Sequence, residues 1–215
     1  MNYDLISSAF KVSISSALII SLPQPILASE TAVQATFNNY RIAILNQDAD
    51  SAYEAIANDT KTYYTDMLQH TLESDAATVE ALPILDQLII LRSRHQIPAE
   101  ELIAMDGASY FKYAVNRGWI DSSSVKQVEI TDISIVGNTA TSKITKNGEV
   151  APFGFKFYQE LDGWKIDLTS ILNVSEGAMQ KLIQESGMGQ TEFLLFLVES
   201  VSGTQVQDSI WQPLI

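Results

Sequence analysis

Three two-residue turn signals constrain this chain most, because they separate β-patterned runs within residues 125–172. They are Gly137-Asn138, Asn147-Gly148 and Asp162-Gly163. Asn, Asp and Gly tolerate the positive φ angles that tight hairpin turns require. The sequence therefore predicts a four-stranded antiparallel meander over about residues 125–172.

These turns also predict the register of the meander. Two-residue turns place Val136 opposite Thr139, Lys146 opposite Glu149 and Leu161 opposite Trp164. Because side chains alternate along a strand, one face then collects an almost entirely apolar set. Its members are Ile133, Ile135, Ala140, Ser142, Ile144, Phe153, Phe155, Phe157, Leu161, Trp164, Ile166 and Leu168. Burial of each large apolar side chain contributes roughly 1.5–3 kcal/mol, so this face should pack against the rest of the chain.

The opposite face of the predicted meander is polar. It carries Asp132, Lys143, Lys156, Tyr158, Glu160, Lys165 and Asp167. The register pairs Asp132 with Lys143, Glu160 with Lys165, and Tyr158 with Asp167, as expected for a solvated surface. This polar face is also a candidate surface for a homodimer.

Composition limits the possible partners of the chain. With 215 residues and a net charge of −13, it is an acidic chain of ordinary globular length. Binding to nucleic acid depends on clustered Lys and Arg, so we expect no nucleic-acid partner. The chain has no cysteine, which excludes disulfides and thiolate metal sites.

The first 28 residues have the pattern of a secretory signal peptide. Lys11 precedes an apolar run at residues 12–22, and the segment ends at Ala28, before Ser29. The run is short and rich in serine for an uncleaved membrane anchor, which is the alternative interpretation. We therefore predict cleavage near Ala28, an exported protein in the periplasm or outside the cell, and a single mature domain at residues 29–215 without an integral membrane segment.

Helical patterns precede and follow the predicted sheet. Apolar residues recur at helical spacing in residues 31–45, 51–57, 60–72 and 74–95, where Pro83 should kink the helix or mark its true start. Pro98 and Asp106 are typical of two further helix starts. After the sheet, helices should end at Gly187 and Gly203. The predicted fold class is α+β: N-terminal helices pack on the meander, and two C-terminal helices form an extension at residues 173–215.

Three segments carry a family resemblance. They are the opening helix at residues 33–44, the polar break at 46–50 and the closing hairpin at 158–168, which contains Gly-Trp-Lys-Ile-Asp. Over residues 31–172 the chain resembles the nuclear-transport-factor-2-like superfamily, and more specifically its uncharacterised exported bacterial members. The resemblance implies a cone-shaped α+β fold. The long helical section before the sheet and the two helices after it depart from the basic cone.

Few residues are candidates for catalysis. The chain has two histidines, His70 and His95, and none of the common catalytic or metal-binding motifs, so we expect no metal and no cofactor. The apolar sheet face offers only Ser142, Gln159 and Thr131 as polar groups. Helices could supply other groups, namely Tyr63, Tyr64, Asp66, His70, Arg92, His95, Tyr110 or Tyr113.

Three functional hypotheses follow. The leading one is a non-catalytic exported protein that holds a small hydrophobic ligand in an apolar cone, or whose cone is filled and serves as an interaction module. The ligand-binding candidates are Phe153, Phe155, Phe157, Trp164, Ile166 and Tyr63. The second is a small hydrolase or isomerase acting on an apolar substrate, with Asp66 or His70 near Tyr64 as candidate catalytic residues. The third is a periplasmic lipid carrier.

Overall fold

A computed structural model describes residues 29–120 and 122–215. The predicted signal peptide lies outside the described residues. Seven helices come first: α1 (Glu30–Leu45), α2 (Ala49–Ala55), α3 (Asn58–Glu73), α4 (Ala76–Glu80), α5 (Ile84–Gln96), α6 (Ala99–Ile103) and α7 (Gly107–Asn116). Five strands follow: β1 (Val128–Val136), β2 (Thr139–Lys146), β3 (Glu149–Val150), β4 (Lys156–Glu160) and β5 (Gly163–Asp167). Helices α8 (Leu172–Ser186) and α9 (Gln190–Ser202) follow the sheet, and a short 3-10 helix (Asp208–Trp211) lies near the end of the described part. The predicted α+β class and element order are confirmed.

Short polar side chains start several of the helices. The Ser29 hydroxyl accepts a hydrogen bond from the Ala32 amide at the start of α1. Asp75 caps α4, and Asp106 caps α7 in a reciprocal arrangement with Ser109. Pro83 separates α4 from α5, so it marks a true helix start, because proline cannot supply the amide that a continuous helix needs.

The sheet has the order β1-β2-β4-β5, and β3 pairs with the end of β2. The first two predicted turns are confirmed, since Val136 faces Thr139 and Lys146 faces Glu149. The predicted third strand is interrupted and forms β3 and β4, so the sheet has five strands among the described residues.

The third turn was predicted one residue too late. Glu160 faces Gly163, so the turn residues are Leu161 and Asp162, and Leu161 is fully exposed instead of lying on the apolar face. Gly163 has a φ of 125°, which a residue with a Cβ rarely adopts, and the glycine therefore follows the turn. Because of this shift, Lys165 faces Tyr158. The predicted pairs Glu160–Lys165 and Tyr158–Asp167 are wrong.

A β-bulge in β1 changes a second part of the register. Thr131, and not Asp132, lies opposite Lys143, and the register shifts before Ser134. Asp132 adopts a φ of 50° at the bulge, and its carboxylate still lies 2.9 Å from Lys143 Nζ. The extra residue reverses the alternation, so Ile130 is buried and Thr131 is not on the apolar face.

The polar face of β5 is covered and not solvated. Lys165 is 7% exposed and Asp167 is 3% exposed. The junction between α2 and α3 runs along the edge of β5, where the Ala57 amide donates to the Ile166 carbonyl at 2.8 Å. Lys165 Nζ donates to the Glu54 carbonyl at 2.6 Å, so the buried ammonium has a partner. The predicted dimer surface therefore loses Lys165 and Asp167. For Lys143 and Lys156, which are exposed, it stays a prediction.

Helix α1 covers the apolar face of the sheet. The ring centroids of Phe37 and Phe155 are 5.8 Å apart, and Phe37 and Phe157 are completely buried. Helix α9 packs elsewhere: Leu194 and Val198 join Ile84 and Leu91 of α5 in a separate apolar cluster. The sheet face and the C-terminal helices thus belong to two different parts of the interior.

Candidate ligand-binding cavity

A cavity of about 400 Å³ lies between helices α3, α5, α7 and α9. We call it the helical cavity. Its lining residues are Tyr64, Leu88, Ile89, Arg92, Tyr110, Ala114, Trp119, Ile120, Leu197, Val198 and Val201. This volume is within the range of roughly 300–1,000 Å³ that is typical of small-molecule sites.

The helices around the cavity are held together by polar contacts. Arg94 on α5 donates to the main-chain carbonyls of His70, Thr71 and Ser74 at the end of α3. The Tyr110 hydroxyl of α7 bonds to the Ser93 hydroxyl of α5. These bonds fix the positions of α3, α5 and α7 without requiring that their apolar side chains fill all the space between them.

Helix α9 closes the cavity on the side of the C-terminal extension. Val198 is buried, whereas Val201, one turn later, is 61% exposed. Both residues line the cavity, so Val201 lies where the cavity meets solvent. His95 Nε2 lies 2.9 Å from the hydroxyls of Ser202 and Thr204, and these contacts join α5 to the end of α9.

Among the described residues that line the cavity, Arg92 is the one that carries a charge. Its guanidinium carbon lies 4.3 Å from the centroid of the Trp119 ring, and its Nε donates to Gln96 Oε1 at 3.4 Å. Within residues 29–120 and 122–215, no carboxylate forms a salt bridge with Arg92. Burial lowers the pKa of Arg92, because removal from water disfavours the charged form.

Tyr64 forms part of the aromatic wall. Its ring meets Phe111 edge-on at 4.9 Å and Tyr63 edge-on at 5.6 Å. Burial raises the pKa of the Tyr64 hydroxyl, which is therefore neutral at ordinary pH. A neutral phenol in this position can pack against an apolar molecule or donate one hydrogen bond.

The predicted ligand-binding residues are mostly part of the core beside α1. Phe155, Phe157 and Ile166 are buried there, and Phe153 packs against the same cluster. None of them lines the helical cavity. The Tyr63 hydroxyl donates a hydrogen bond to Asp86 Oδ1 at 2.6 Å, and Tyr63 lies outside the lining as well.

Trp164 has a different position from the other predicted ligand-binding residues. It lines an open groove of about 980 Å³ between α1, α2 and the turn that joins β4 to β5. Its indole Nε1 is buried without a hydrogen-bond partner among the described residues. The groove is larger than the helical cavity, but five carboxylates line it: Asp48, Asp50, Glu54, Glu160 and Asp162. A hydrophobic molecule would be less well matched to this acidic surface than to the helical cavity.

The three candidate catalytic residues do not share a site. Tyr64 lines the helical cavity, whereas Asp66 is exposed on α3. His70 Nδ1 lies 2.9 Å from the Ser74 hydroxyl, in a shallow pocket that also contains Glu73 and Thr78. In the described part of the chain, no group of three or more His, Asp or Glu side chains is placed to hold a metal ion.

The sequence did not predict a cavity between these helices. It named Tyr64, Arg92 and Tyr110 as polar residues on helices, but it did not bring them together. It missed Leu88, Ile89, Trp119, Leu197 and Val201 as lining residues. The available signal was Arg92 itself, which follows the apolar run Leu88-Ile89-Ile90-Leu91 in a helix that was predicted to be buried.

None of the described helices is both long and apolar enough to cross a membrane.

Comparisons with known proteins add no assignment. No family model, no curated protein and no solved structure matches this chain.

Proposed function

We propose that this protein is a non-catalytic binding protein that holds a small hydrophobic molecule in the helical cavity. The observation that carries the proposal is the composition of the lining, in which one charged residue stands among aliphatic and aromatic side chains. A cavity with a few polar groups in an apolar wall is typical of small-molecule sites. The proposal uses this cavity because α1 packs on the apolar sheet face, where the sequence placed the site.

The catalytic alternative has less support. The described residues of the lining include no carboxylate and no imidazole, which are the commonest general acids and bases. Tyr64 and Tyr110 would have to transfer protons, and burial raises the pKa of both hydroxyls, which makes them poor bases at neutral pH. The resemblance to the nuclear-transport-factor-2-like superfamily stays a proposal about ancestry, because fold analogy does not establish function.

An exported location and a role in carrying lipid also remain proposals. Export rests on the signal-like pattern of residues 1–28. A lipid carrier would use the same type of cavity, but about 400 Å³ suits a small amphiphile better than a two-chain lipid.

Calorimetric titration with a neutral apolar probe, 1-decanol, tests the proposal. The variant Val201→Trp places a large ring at the mouth of the cavity and should weaken binding roughly tenfold, because the ring competes for the ligand's space. Val136→Trp is the matched control, since Val136 is 78% exposed on β1 and does not line the cavity. Equal affinities for the two variants, or no binding by the unmodified protein, would contradict the proposal.

A further inference from the structure

We propose that the molecule bound in the helical cavity is an amphipathic carboxylate whose acid group is held by Arg92. This inference rests on the proposed function, and it specifies the chemical class of the ligand. Three observations support it: the unpaired charge of Arg92, the hydrogen bond to Gln96 that positions Arg92, and the apolar character of the remaining wall.

The first observation is the incomplete pairing of the Arg92 guanidinium. A guanidinium carries five N–H donors, and a partly buried one is stable only when they find partners. Within the described residues, Arg92 makes one long hydrogen bond, from Nε to Gln96 Oε1 at 3.4 Å. Its two terminal nitrogens make none. A carboxylate matches this arrangement, because its two oxygens can accept parallel hydrogen bonds from the planar guanidinium.

Trp119 gives the guanidinium a defined position. The Arg92 carbon stands 4.3 Å from the indole centroid, close enough for stacking. Tyr113 in turn meets Trp119 edge-on at 5.6 Å, which restrains the indole. The contact with Trp119 therefore holds the Arg92 guanidinium beside the cavity wall.

The second observation concerns Gln96, one helical turn after Arg92. Its Oε1 accepts from Arg92, which directs its Nε2 elsewhere. Among the described residues, this Nε2 is buried and has no hydrogen-bond partner. Gln96 is not among the residues that line the helical cavity, so its contribution is to hold the Arg92 side chain in position by accepting from Nε.

The third observation is that the other described residues of the wall are uncharged. Past Arg92 the lining consists of aliphatic and aromatic side chains, which suit a hydrocarbon tail. The net charge of −13 repels anions at long range, but salt screens this repulsion beyond about 8–10 Å. A single acid group in contact with Arg92 is therefore compatible with the acidic surface, whereas a polyanion fits it poorly.

Paired titrations test this inference, with decanoate and 1-decanol as probes of equal chain length below their aggregation limits. The unmodified protein should bind decanoate at least roughly tenfold more tightly than decanol, as expected for a charge-assisted hydrogen-bonded pair. Arg92→Gln should lower the affinity for decanoate much more than the affinity for decanol, and should thereby abolish this preference. Arg117→Gln is the matched control, because Arg117 stacks on Tyr113 at 5.1 Å but does not line the cavity.

Arg92→Lys is the second variant, and it keeps a positive charge at the site. It should lose part of the preference for decanoate, because an ammonium cannot form the two parallel bonds. Equal affinities of the unmodified protein for the two probes would overturn the inference and leave the proposed function standing. A preference that persists in both Arg92 variants would do the same. Failure of the unmodified protein to bind either probe would overturn both.

Discussion

The sheet half and the helical half of this molecule use their apolar residues differently. Between α1 and the sheet, the buried side chains of Phe37, Phe155 and Phe157 pack in one apolar layer. Between α3, α5, α7 and α9, apolar side chains of similar size surround a space of about 400 Å³. The same kind of residue thus makes a filled core in one half and a cavity wall in the other, and the geometry of the surrounding helices decides which.

The largest difference between the halves should appear when a large side chain is removed. Phe157→Ala should lower the free energy of unfolding by about 3–5 kcal/mol, because its ring is completely buried in the filled half. Leu197→Ala in the cavity wall should cost roughly 1–2 kcal/mol, since part of the Leu197 side chain already faces empty space. Urea unfolding of both variants measures the difference. Equal losses would mean that the helical cavity is closed in solution.

Enlarging a side chain should also destabilise the sheet half more than the helical half. Ala140→Leu on the covered sheet face should destabilise the protein by about 1–3 kcal/mol through overpacking. Ala114→Leu should be neutral or slightly stabilising, because Ala114 lines the cavity and the added atoms have room. The Ala114 variant should also bind 1-decanol more weakly. Thermal unfolding together with calorimetry checks both effects, and a strongly destabilised Ala114→Leu protein would argue against an open cavity.

The smallest expected effects concern pH, and they should have opposite signs in the two halves. Burial raises the pKa of Asp86 in the helical half, although the hydrogen bond from Tyr63 opposes this shift. A raised folded-state pKa means that this group favours folding less as the pH rises through that range. Hydrogen bonding from Lys165 lowers the pKa of Asp162 in the sheet half, so the Asp162 contribution is lost on acidification.

Two substitutions separate these contributions. Asp86→Asn should raise stability at neutral pH by less than about 1 kcal/mol, a small gain because the group is only half-buried. Asp162→Asn should lower neutral stability slightly and reduce the acid-side loss. Urea unfolding between about pH 3 and pH 7 measures both trends. A change of the same sign in the two variants would contradict this assignment.

The sequence predicted the filled half better than the helical half. Turn dipeptides and the two-residue period act over a few neighbouring residues, so the hairpins at 137–138 and 147–148 and most of the apolar face could be predicted. The errors arose where one residue shifted the position of a turn or the alternation of side chains along a strand. Gly163 followed the third turn instead of forming it, and Asp132 introduced a bulge.

The candidate site was much harder to predict. Its wall combines residues from four helices and from the segment after α7. In the sequence these residues are spread from Tyr64 to Val201. The helical pattern predicted that α5 would be buried. A pattern of buried positions does not indicate whether the opposing side chains meet or leave a gap.

The sequence by itself determined the α+β class, the order of the elements and the apolar face of the sheet, because each depends on local turn chemistry and side-chain periodicity. Only the tertiary structure decided that α1 covers that face, that the α2–α3 junction buries Lys165 and Asp167, and that α9 encloses a cavity beside Arg92. These features depend on how distant helices pack against each other. The volume left between packed helices follows from their relative positions, which no single segment of the chain specifies.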